Sequence, residues 1–62
     1  MSLTEEIAAT AARMVVDEGL EYASAKRRAA RELGRRSNRR AELPSNEEVE
    51  DEVRSQIGRA HV

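Results

Sequence analysis

A folded domain made from this chain has to build its core without a single phenylalanine, tryptophan or cysteine. Tyr22 is the one aromatic residue, so the interior must come from Leu, Ile, Val, Met and ten alanines. Eight of those alanines fall between Ala8 and Ala30, which lets the segments carrying them approach closely. At 62 residues the chain is read as one small domain, 1–62, of a size at which a staple or a partner usually adds stability. Lacking cysteine, it has neither a disulfide nor a thiolate metal site for that purpose. Association with a partner protein or a second copy is the expected alternative.

Apolar spacing and capping residues together predict an all-α, compact three-helix domain over about 3–18, 24–34 and 46–57. In the first helix Leu3, Ile7, Ala11, Met14 and Val15 recur at intervals of three and four. Ser2 and Glu5 have the spacing of a capping box, Thr4 competes as N-cap, and Gly19 is a natural left-handed stop. Val16 lies off this stripe, where it widens the core or meets a partner. The second helix is expected to start at Ser24 and end at Gly34, with Ala25, Ala29 and Leu33 on one face. Tyr22, just before it, should plug the corner between the first two helices.

Residues 35–43 show no apolar period and read as a basic loop. "LPSNEEVEDEV" then announces the third helix: Pro44 precedes a Ser45/Glu48 capping box, and Val49, Val53 and Ile57 recur every four residues. Five acids between Glu47 and Glu52 crowd its first two turns, where the helix dipole favours negative charge. Gly58 is the expected stop, with frayed residues after it. The expected core is Ile7, Ala11, Met14, Val15, Leu33, Val49, Val53 and Ile57.

Charge is distributed unevenly. Residues 1–21 hold five acids and one base, 26–40 eight bases and one acid, and 42–62 six acids and two bases. The net charges are therefore −4, +7 and −4. The candidate phosphate or nucleic-acid contacts are Lys26, Arg27, Arg28, Arg31, Arg35, Arg36, Arg39 and Arg40. Arg27, Arg28, Arg31 and Arg35 gather opposite the apolar face and continue into Arg36, Arg39 and Arg40, while Lys26 snorkels beside that face. Such a surface neutralises several phosphates, and arginine suits them through its bidentate fork. The competing reading is a solvated face. There, Arg28–Glu32 and Glu32–Arg36 pair at i,i+4 and the acidic third helix lies against the loop, each pair worth about 0.3–0.5 kcal/mol. The overall acidic balance and the scarcity of aromatic residues for base stacking favour this second reading.

Catalytic chemistry finds little to work with. His61 is the only histidine and stands at the chain end, and the serines best placed to act are already explained as caps. The acidic run "EEVEDE" lies on a helix and lacks the alternating, Gly-containing loop of a calcium site. There is no phosphate-cradling glycine loop and no dinucleotide fingerprint. No enzyme, cofactor, metal or small-molecule substrate is expected. No apolar run approaches the roughly 18 residues of a membrane span, and the first residues lack a signal pattern, so a cytoplasmic protein without a membrane partner is expected.

Residues 7–34, "IAATAARMVVDEGLEYASAKRRAARELG", resemble the N-terminal helices of tetracycline-repressor-type regulators in Ile7, Ala11, Glu18 and Ala30–Arg31–Glu32 with Gly34. The resemblance implies a DNA-facing role, and it stops at Gly34, after which no aromatic-bearing recognition helix follows. More of the chain is similar to a group of short, uncharacterised proteobacterial helical proteins. The shared features are an I-A-x-x-A-A-R start (Ile7–Arg13), a turn with Glu18, Leu20 and Tyr22, an A-K-R-x-A-A-R-x-L-G helix (Ala25–Gly34), and an L-P-x-N-x-E-x-E segment (Leu43–Glu50). This similarity implies a stand-alone helical protein and carries no activity with it. The expected function is a non-catalytic helical interaction module that works through a protein partner or a second copy. A nucleic-acid-binding protein using 26–40 is the alternative.

Overall fold

Helix α1 runs Leu3–Glu18, α2 Tyr22–Ser37 and α3 Asn46–Ala60. The computed structural model describes residues 2–37 and 42–60, and among them there is no strand. No helix of the described residues is long and apolar enough to cross a membrane.

Local chemistry explains both ends of α1 and the start of α3. Ser2 accepts the Glu5 N–H on Oγ at 3.2 Å and donates to Glu5 Oε1 at 3.3 Å, so Ser2 is the cap. Thr4, the competing candidate, is used elsewhere: its hydroxyl donates to the Glu42 carbonyl at 3.0 Å and ties the segment before α3 to α1. Gly19 ends α1 at φ 72°, ψ 23°, with its N–H turned back on the Val15 carbonyl at 3.1 Å. Ser45 Oγ accepts the Glu48 N–H at 3.2 Å and starts α3. Pro44 and Val49, both buried, occupy the N′ and N4 positions of a hydrophobic staple around that cap.

The second helix departs from expectation at both ends. Its first backbone bond runs from the Ala25 N–H to the Glu21 carbonyl at 2.9 Å, so Ser24 lies within the helix and does not cap it. Starting earlier puts Tyr22 in phase with Ala25, Ala29 and Leu33, where it packs against the core. At the other end α2 passes through Gly34 to Ser37, so 35–37 are helical and are not loop. A glycine inside a helix costs roughly 1 kcal/mol relative to alanine. Arg35 and Arg36 fall in the last turn, where each cation recovers about 0.3–1 kcal/mol from the helix dipole. Likewise α3 runs through Gly58, and of the three glycines only Gly19 has positive φ. The expected loop conformation of 38–41 and the fraying of 61–62 lie outside the described residues.

Helix α1 is central. It packs against α2 and against α3, whereas α2 and α3 scarcely touch. Met14 shares a groove with α2, while Ala8 shares a cleft with α3. Two-sided packing explains why Ala8 and Ala12, outside the expected core, are buried with Ile7, Ala11, Met14, Ala25, Ala29 and Val49. Val15, Leu33 and Val53 are partly buried against this cluster. Ile57 was expected inside but is 44% exposed, as is Val16. The buried side of α3 is held instead by Val49, by Val53, and by Gln56, whose amide donates to the Ala9 carbonyl at 3.0 Å.

Candidate functional site

The continuous α2 sorts the candidate cations by helical phase. Arg27, Arg31 and Arg35 stand four residues apart, opposite Ala25, Ala29 and Leu33, and all three are exposed. Their spacing makes a row with rungs about 6 Å apart along the axis. Arg28 is also exposed, but it leans to the side of the helix and meets Glu18 of α1, Nη1 to Oε1, at 3.2 Å. That contact replaces the expected Arg28–Glu32 pair. Lys26 is half-buried beside the apolar face, as its snorkelling position implies. Arg39 and Arg40 lie outside the described residues.

Arg36 leaves the row. With Glu32 and Leu33 it lines an open groove of about 320 Å³ between α2 and α1, whose opposite wall includes Arg13, Asp17 and Glu18. The groove mixes both signs of charge, so it has no single-sign field for an ion. The expected Glu32–Arg36 pair does not form among the described residues.

A second cleft, of about 190 Å³, lies between the start of α1 and α3 and is lined by Glu5, Ala8, Glu48, Asp51 and Glu52. Every charged residue there is acidic. Glu47 and Asp51 stand one turn apart on α3 and both are exposed, with Asp51 also lining this cleft. Further along α3, Glu50 is engaged by Arg54 at 2.6 Å. Among the described residues no three His, Cys, Asp or Glu side chains are grouped to hold a metal ion.

The expected contact of the acidic third helix with the basic loop falls mostly on 38–41, outside the described residues; among the described residues no ion pair joins α2 to α3. With α1 between them, the acidic part of α3 and the arginine row of α2 occupy different sides of the molecule. Helical phase alone identifies Arg27, Arg31 and Arg35 as a set. Nothing in the sequence signalled the Arg28–Glu18 contact or the move of Arg36 to the groove, because both depend on how α2 crosses α1. Comparison with known protein families, with curated proteins and with solved structures finds no match for the chain.

Proposed function

We propose that this protein is a non-catalytic helical binding module whose working surface is the arginine row of α2, and that its partner is an acidic protein surface or a second copy. The observation that carries this reading is the exposure of Arg27, Arg31 and Arg35 on one face with no acidic helix covering them. A row of guanidiniums on a helix held rigid by core packing is suited to carboxylates and loses little order on binding. Among the described residues the buried side chains are all apolar or proline, so none of these is a desolvated acid or base of the kind catalysis uses.

A second reading, nucleic-acid binding, draws support from one feature. Helix α2 carries Arg35 in line with Arg27 and Arg31, and the acids of α3 lie on another flank, so a duplex can approach the row without meeting them. Three phosphate contacts give a salt dependence with a log–log slope of about −3.

Salt titration of DNA and RNA binding, alongside light scattering, separates the readings. The leading one expects duplex affinity no better than roughly millimolar at physiological salt, weaker than the usual non-specific range. Micromolar binding that is lost in the Arg27→Gln/Arg31→Gln/Arg35→Gln variant, with the salt slope flattened, establishes the second reading instead. The helical content of that variant should be unchanged, because all three side chains face solvent.

A further inference from the structure

Resting on the binding-module reading, we propose that the arginine row of α2 docks on the acidic first half of α3 in a second copy of this chain. The two surfaces match in sign and in period. Arg27, Arg31 and Arg35 repeat every four residues, and so do Glu47 and Asp51, giving rungs about 6 Å apart on each helix. Glu48 lies beside that acidic pair and belongs, with Asp51 and Glu52, to the cleft that Glu5 of α1 closes. The partner face therefore presents carboxylates from two helices. Glu50, already held by Arg54, stands apart from it.

The fold keeps these surfaces from meeting within one molecule. Helices α2 and α3 each pack on α1 and scarcely touch each other, and Arg27, Arg31 and Arg35 lie opposite the apolar face of α2. One copy thus offers the row in one direction and its complement in another. A contact of this kind is head-to-tail: every pairing leaves a free arginine row at one end and a free acidic face at the other. Such contacts extend into an open chain unless the rotation between copies closes a ring. Its contacts are solvent-exposed ion pairs over a small area, so association is weak, concentration-dependent and sensitive to screening.

The test is the weight-average mass by light scattering or sedimentation, from about 10 μM to about 1 mM protein, at low and at high salt. The expected result is a mass that climbs with concentration at about 50 mM salt and falls towards the monomer at about 500 mM. Two variants sharpen it, Arg27→Gln/Arg31→Gln/Arg35→Gln and Glu47→Gln/Glu48→Gln/Asp51→Asn. Each alone should stay monomeric with helicity intact. An equimolar mixture should form a one-to-one pair and nothing larger, because only one intact contact remains between the two variants. A monomer at every concentration, or growth that survives either set of substitutions, overturns the proposal. A monomer whose arginine row still binds polyglutamate refutes the self-contact and leaves the binding-module reading standing, whereas one whose row binds duplex DNA at micromolar affinity refutes the self-contact and establishes the nucleic-acid reading. A monomer that binds neither refutes both.

Discussion

Replacing each glycine with alanine in turn tests the course of α2 directly, because the three positions differ in backbone conformation and not in space. A Cβ built on Gly19, Gly34 or Gly58 meets nothing within 4 Å, so neither clash nor new burial complicates the comparison. Gly34 sits in the last turn of α2 with helical backbone, where alanine is worth up to about 1 kcal/mol over glycine. Allowing for its place near the helix end, Gly34→Ala should stabilise by about 0.5–1 kcal/mol. Gly58, two residues from the end of α3, should yield about 0.5 kcal/mol for the same reason. Gly19, at φ 72°, has the opposite sign: an L-residue there costs about 1–2 kcal/mol. In a domain of this size each kcal/mol moves Tm by about 4–8 °C, which far-ultraviolet circular dichroism resolves. Melts should rise by roughly 3–6 °C for Gly34→Ala and fall by at least as much for Gly19→Ala. If Gly34→Ala instead lowers Tm as Gly19→Ala does, Gly34 is a left-handed stop and the arginine row ends before Arg35.

Other substitutions probe the cap and the core. Ser45→Ala removes the acceptor of the Glu48 N–H and should cost about 1 kcal/mol, with backbone chemical shifts showing a later start of α3; unchanged stability and an unmoved start would contradict the cap. Ile7→Ala empties a fully buried position and should cost about 2–4 kcal/mol, whereas Ile57→Ala, at a side chain 44% exposed, should cost about 1 kcal/mol; equal losses in urea titrations would put Ile57 back in the core.

Residue identity alone determined those features whose causes are local. Ser2 with Glu5, and Ser45 with Glu48, satisfy a helix start three residues away, so spacing along the chain suffices to find them. Gly19 as the end of α1 is of the same kind, and the four-residue repeat of Arg27, Arg31 and Arg35 follows from helical phase. Tertiary structure decided the rest. Whether Gly34 stops a helix or lies within it turns on about 1 kcal/mol, a margin that Arg35 and Arg36 in the last turn are large enough to set. Ala8 and Ala12 are buried because α1 has neighbours on two flanks, which no stripe on a single helix reveals. Ile57 keeps the period of Val49 and Val53, yet Gln56 reaches the Ala9 carbonyl and Ile57 is left at the edge of the packed face. The arrangement of charge depends on the same crossings. Period put the arginines in a row, but only the placement of α1 between α2 and α3 separates that row from the acids that balance it in the sequence.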